Sequence, residues 1–284
     1  MDRRKFICSS ALIFISGKFL LSFPFTKSNI DFFNSIVEKV KRNGWLSLPI
    51  NELFSKVALL FKDIPYQGGT LENGETEQCI ITFEGFDCVT FFEVSLCIAR
   101  ILKKNNLEYK DLVNEVTYTR YRDGIIQDFT SRLHYSSDWI FDNEKKLVVK
   151  DKTKDLGGEK IFFKLNFMSE NPSFYKQLQN NPKFIEKIKE VETAINSRPY
   201  YVVPKEKIVH IEKKLKNGDI VFFATNKKGL DYSHVGICIV DNEKRRLLHA
   251  SSKKGNVVLD KSIQEYVMEN KSVTGITVVE PLEP

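Results

Sequence analysis

The chain has 284 residues, 42% of them hydrophobic and 12% aromatic, which is enough to bury one large core and too apolar for a disordered protein. Its net charge of +6 is concentrated at the start, where Arg3, Arg4, Lys5, Lys18 and Lys27 face only Asp2, so the body of the chain offers no basic face for a nucleic-acid partner. Five cysteines (Cys8, Cys79, Cys88, Cys97, Cys238) form no C-x-x-C pair and no zinc-finger spacing, which excludes a disulfide scaffold and a metal finger. No cofactor and no resident metal are expected.

Residues 1–27 read as an export signal or N-terminal anchor. A basic start, Asp2-Arg3-Arg4-Lys5, runs into an apolar stretch from Phe6 to Ser16. No small-x-small cleavage site follows, so an uncleaved anchor associated with a membrane stays open beside a cleaved signal. Either way the chain is expected to be exported to the periplasm or cell envelope. Residues 28–284 read as a single domain, expected to be a monomer, with a helical N-terminal region and an insertion around 140–200.

In chain order, the spacing predicts two helices between Asp31 and Lys62, carried by Phe32, Phe33, Ile36, Val37 and Val40, then by Leu53, Val57, Leu60 and Phe61. The turn Pro65-Tyr66-Gln67-Gly68-Gly69-Thr70-Leu71 and a short strand Cys79–Phe83 lead to Gly85-Phe86-Asp87-Cys88. From Asp87 to Lys104 apolar residues recur at Val89, Phe92, Leu96, Ala99 and Leu102, which is a helix with Asp87 as its N-cap. Cys88 thus falls in a first helical turn, among unpaired N–H groups at the positive end of the dipole, and both favour a thiolate. A further helix is predicted from Leu107 to Tyr121. The segment Ser131-Arg132-Leu133-His134-Tyr135 with Trp139 follows, dense in groups that hold polar ligands and equally suited to satisfying its own backbone.

Strands are predicted at Lys145–Val149 and Lys160–Phe167, as a hairpin-like insertion, and a solvated helix runs from Asn171 to Ser197. The run Ile208–Ile211, with a structural His210, alternates like a strand. The last third predicts an antiparallel sheet: Asp219–Ala224, His234–Val240, Arg246–Ala250, Gly255–Leu259 and Thr274–Glu280, with a short helix at Ser262–Glu269. His234 opens one of these strands and His249 closes the next.

A helix-start cysteine followed by histidines on an antiparallel sheet is the order of a cysteine hydrolase: the thiolate attacks, one imidazole carries the proton, and a third polar residue orients that imidazole. Phe86-Asp87-Cys88-Val89-Thr90-Phe91-Phe92-Glu93, Ser131-Arg132-Leu133-His134-Tyr135, Gly218-Asp219-Ile220, Ser233-His234-Val235-Gly236 and His249-Ala250-Ser251, taken in order, resemble the NlpC-type cell-wall hydrolases. Within that superfamily they resemble the AmiA-like N-acetylmuramoyl-L-alanine amidases. The resemblance implies an α+β, papain-like fold with the nucleophile at a helix N-terminus packed against an antiparallel sheet. It implies Cys88 as nucleophile, His234 as base and His249 as the third member, and a peptidoglycan or muropeptide substrate cut between N-acetylmuramic acid and L-alanine. Arg132, His134, Tyr135 and Trp139 become candidates for holding the muramyl sugar or its lactyl carboxylate, and Tyr66 for adding a hydroxyl beside the Cys88 N–H in an oxyanion hole. Val89-Thr90, where the broader superfamily has serine and glycine, favours amidase over stem-peptide endopeptidase. Two other readings remain beside these: a non-catalytic wall-binding module, and Cys88, His234 and His249 as a zinc site.

Overall fold

The structure, a computed structural model, describes residues 26–284 except Asn73, Glu75 and Asn180. The expected export segment therefore lies outside the described residues, apart from Thr26 and Lys27, which begin the first helix. Among the described residues no helix is long and apolar enough to cross a membrane.

Three helices open the domain: α1 (Lys27–Arg42), α2 (Ile50–Leu59) and α3 (Cys88–Lys103). The last is the central element. Every residue from Thr90 to Leu102 is buried, as expected of a helix apolar on nearly all its faces. It packs against α2, against α4 (Tyr109–Arg120), and against the sheet. Charged side chains on α3 are neutralised in place, Glu93 by Arg120 at 2.7 Å and Arg100 by Glu115 at 2.7 Å. A buried charge survives only when so paired.

Next come α5 (Ser136–Lys145), β1 (Val149–Asp151), β2 (Glu159–Ile161), α6 (Phe167–Glu170), α7 (Lys176–Gln179) and α8 (Pro182–Asn196). β3 (Tyr200–Pro204), α9 (Ile208–Ile211), β4 (Ile220–Thr225), β5 (Tyr232–Asp241), β6 (Lys244–Ser251), β7 (Asn256–Ser262), α10 (Ile263–Glu269) and β8 (Val273–Pro281) complete the chain. The sheet is antiparallel throughout, in the order β2-β3-β8-β4-β5-β6-β7, with β1 on β8 beside β3. This is the mixed architecture expected, helices against an antiparallel sheet with the cysteine at the start of the buried helix.

Several local expectations fail, each for a visible reason. Residues 79–83 form no strand, because side chains rather than a neighbouring strand take their carbonyls: Asn29 donates to Ile81 and Arg120 to Ile80. β1 and β2 do not pair with each other; β8 and β3 take them instead. Ile208–Ile211 is a helical turn, burying Ile208 and Ile211 three apart and exposing Val209 and His210 between them. Helix α5 lies in a stretch for which the sequence predicts no element. Its first turn is held by Asp231, which accepts the Ser137 N–H at 2.8 Å from 94 residues away.

Candidate active site

Cys88 is the first residue of α3, and Asp87 caps the helix through a reciprocal pair: its carboxylate accepts the Val89 and Thr90 N–H groups while the Thr90 hydroxyl accepts the Asp87 N–H. The N–H groups of Val235, Cys88 and Val89 all favour a thiolate at this sulfur. Burial outweighs them, helped by the Asp87 charge, and pushes the thiol up to about 12. The expected lowering by the helix start is present but smaller than the cost of desolvating the charge.

His234 enters β5 directly after an irregularity in the sheet. Phe223 of β4 pairs with His234 and Ala224 with Tyr232, so Ser233 is an extra residue, a bulge of the kind that re-aims a side chain. His234 Nε2 lies 2.6 Å from His249 Nδ1, with the rings nearly perpendicular. The two histidines are diagonal neighbours rather than directly opposed. Ile237 pairs with Leu248, which sets Gly236 against His249, and a Cβ on Gly236 would come within 3.1 Å of the His249 Cβ. The absent side chain lets the rings meet. Tyr266 of α10 stacks on His234 at 5.7 Å between centroids and meets His249 edge-on.

Behind this pair stands a residue that sequence reasoning missed. His249 Nε2 is 3.4 Å from Asp260 Oδ2, on the adjoining strand β7. Burial works to raise Asp260, but the Lys254 ammonium and the Lys261 N–H hold it at about 2. Burial, then the charge of His249, lowers His234 to about 3; burial lowers His249 to about 4 despite Asp260. Thiol and imidazoles are therefore neutral at rest. Alternation from His249 puts Asp260, two beyond its partner Val258, on the same face, so the signal existed once the register was known.

Cys88 and His234 share the lining of a cavity of about 170 Å³ with His134, Tyr135, Tyr175 and Asp231. A wider cleft of about 460 Å³ between the turn at Arg122–Gly124 and α8 contains none of Cys88, His234 and His249. Among the described residues no group of three His, Cys, Asp or Glu side chains is arranged to hold a metal ion, and the two imidazoles meet each other rather than a common point.

The other expected residues divide. His134 lines the cavity with its Nε2 2.7 Å from the Phe129 carbonyl, and burial together with Arg132 lowers it to about 3, so it presents a neutral ring. Tyr135 also lines the cavity, but its hydroxyl is spent on Glu192 at 2.7 Å and on the Met168 N–H, tying α8 and α6 to this wall. Tyr66 is half-buried, and burial first, then the neighbouring Asp87 carboxylate, pushes its phenol up to about 12; a thiolate at Cys88 would push the same way. Its place is fixed by a bridge to Phe86 and by its N–H donating to the Gly255 carbonyl. Arg132 is buried and paired with Glu72 at 3.1 Å and Glu77 at 3.2 Å, which makes it the anchor of the glycine-rich turn instead of a ligand grip. Trp139 is only 3% exposed, its indole N–H on Glu93 and its ring against Phe92 and Phe222, so it belongs to the core.

The family model described as AmiA-like, N-acetylmuramoyl-L-alanine amidase-like, matches residues 56–276. Among solved structures, an N-acetylmuramoyl-L-alanine amidase from Bacteroides uniformis ATCC 8492 is similar with a TM-score of 0.78 at 31% identity, over 82% of this chain and 98% of that one. A Bacteroides fragilis protein with a provisional xylanase name is 37% identical with a TM-score of 0.75, over 79% and 99% of the two chains. A Legionella pneumophila protein shares the fold at 19% identity, with a TM-score of 0.67 over 90% and 97%. No curated protein matches the chain in sequence.

Proposed function

Because this chain belongs to the AmiA-like family of N-acetylmuramoyl-L-alanine amidase-like proteins, we propose that it is a papain-like cysteine amidase cutting the bond between N-acetylmuramic acid and L-alanine in peptidoglycan or its fragments. The observation that carries the reading is that His234, held at 2.6 Å by the buried His249, lines one cavity together with Cys88.

The chemistry then runs through two half-reactions. His234 takes the Cys88 proton as the sulfur attacks the lactyl carbonyl carbon, and the oxyanion that forms is met by the Cys88 N–H, with the Tyr66 hydroxyl beside it. The tetrahedral intermediate collapses as His234 hands that proton to the departing alanine amine, leaving a thioester. Water, deprotonated by the same nitrogen, then releases the sugar acid and the free thiol. His134 and Tyr135 line the substrate's path. The export expectation for residues 1–27 places this activity in the periplasm or envelope. A glycosidase reading has less support: among the described residues lining the cavity Asp231 is the one carboxylate, held by the Ser137 and Tyr232 N–H groups, where glycoside hydrolysis uses two.

Adding hydroxylamine during turnover tests the acyl-enzyme and the bond together. The thioester should be diverted to a hydroxamate on the lactyl carbonyl of the sugar. A hydroxamate on a stem-peptide carbonyl would make the protein an endopeptidase instead.

The pH profile follows from the neutral imidazoles. A base whose pKa is depressed to about 3, backed by one at about 4, stays unprotonated well below the usual histidine range. The acid limb of kcat/KM is accordingly expected below about pH 5, since this parameter reports ionisations of the free enzyme. An acid midpoint near ~6.5, the ordinary histidine value, would contradict the assigned environment.

A further inference from the structure

We propose that Asp260 sets the tautomers of both imidazoles and thereby decides that a bare nitrogen of His234 faces Cys88. The inference rests on the reading of His234 as the base and deepens it by adding a positioning residue.

The hydrogen-bond directions follow one from another. Asp260 Oδ1 receives the Lys254 ammonium at 2.7 Å and the Lys261 N–H at 2.8 Å, which leaves Oδ2 to His249 Nε2 at 3.4 Å. An ionised carboxylate only accepts, so the proton of neutral His249 resides on Nε2. Its Nδ1 then offers only a lone pair. His234 Nε2, 2.6 Å away, must donate to it. Neutral His234 has one ring proton and has used it, so its Nδ1 is unprotonated and is the nitrogen left for Cys88.

The opposite chain of tautomers is equally compatible with the 2.6 Å contact alone. In it His249 Nδ1–H donates to His234 Nε2, and His234 presents Nδ1–H to the thiol, two donors facing each other with no base between them. Only the carboxylate at the far end distinguishes the two chains. The fold supplies it by strand alternation from Val258, next to an irregularity in β7: Arg246 pairs with Ser262 and Leu248 with Leu259, so β7 carries an extra residue at Asp260–Lys261. The Arg246 guanidinium fastens that bulge by donating to the Asp260 and Leu259 carbonyls at 2.8 and 3.0 Å. When His234 takes the thiol proton, Asp260 also faces the positive charge that then extends over the two rings.

Ring-nitrogen 15N spectroscopy of the full protein at pH 7 reads the tautomers without reference to activity. In the wild type both histidines should carry their proton on Nε2. In Asp260→Asn, whose amide can donate to His249 Nε2, both should move to Nδ1–H and kcat/KM should fall by up to about 10⁴-fold, the loss seen when a base is held in the wrong tautomer. A wild-type His249 protonated on Nδ1 overturns the proposal, and so do unchanged tautomers in Asp260→Asn. Flipped tautomers with full activity would uphold the role of Asp260 and instead refute His234 as the base.

Discussion

Cys88→Ala is expected to lower muropeptide hydrolysis by on the order of 10⁴-fold or more while leaving the melting temperature nearly unchanged. The size of the loss follows from the mechanism: without a nucleophile the remaining groups can hold substrate and orient water but cannot form a thioester. The stability expectation follows from what the thiol does not hold. The cap of α3 is made by the Asp87 carboxylate and the Thr90 hydroxyl, neither of which uses the sulfur. A melting curve and a product assay on the same preparation check both halves. Loss of activity through unfolding would say nothing about catalysis, whereas a folded, active variant would remove Cys88 from the mechanism.

Glu93→Gln is expected to be among the most damaging single changes to stability, although Glu93 does not line the cavity shared by Cys88 and His234. Its carboxylate is 1% exposed and accepts from Arg120 at 2.7 Å and from the Trp139 indole at 3.1 Å, joining α3, α4 and α5. Removing the negative charge leaves the Arg120 guanidinium buried with only neutral acceptors, the amide oxygen of the new glutamine and the Ile80 carbonyl, in place of its counter-ion. Breaking a buried pair in this way costs about 3 to 5 kcal/mol, which for a domain of this size lowers the melting temperature by roughly 6 to 20 °C. The double change Glu93→Gln with Arg120→Met should recover part of the loss, because it removes the stranded charge as well. A melting temperature within a degree or two of wild type would show that the pair contributes little.

The parts of the fold that were legible in the sequence are those fixed by neighbours in the chain. The cap at Asp87 and the spacing of Phe92, Leu96 and Ala99 marked α3 to within a residue, and Ser262 with Glu265 starts α10 by a capping box contained in four residues. The meander from β4 to β7 could be read because short turns connect its strands. What could not be read depends on partners far along the chain. Cys79–Phe83 has the composition of a short strand, but Arg120 and Asn29 take the Ile80 and Ile81 carbonyls. The Ser131–Trp139 segment has the composition of a ligand site, yet Arg132 and Trp139 are committed to Glu72, Glu77 and Glu93, and composition cannot tell a buried partner from a bound sugar.

The histidine pair shows the same division at finer scale. Two histidines at strand ends could be seen, but not that Gly236 and a bulge at Ser233 bring them together diagonally. Nor could the length of the polar chain be seen, since Asp260 joins it only through the register of β7. The thiol environment was misjudged for a related reason: a helix start is a local feature that lowers a pKa, while the burial that raises it is a property of the whole packed site.

The most direct test of the proposed activity is to digest one defined muropeptide, a disaccharide bearing an L-alanine-first stem, with wild type and Cys88→Ala in parallel and to weigh the products. The mechanism predicts the free sugar acid and an intact stem peptide with L-alanine at its amino end from the wild type, and neither from the variant. A sugar that leaves with alanine still attached, or equal product from Cys88→Ala, would contradict it.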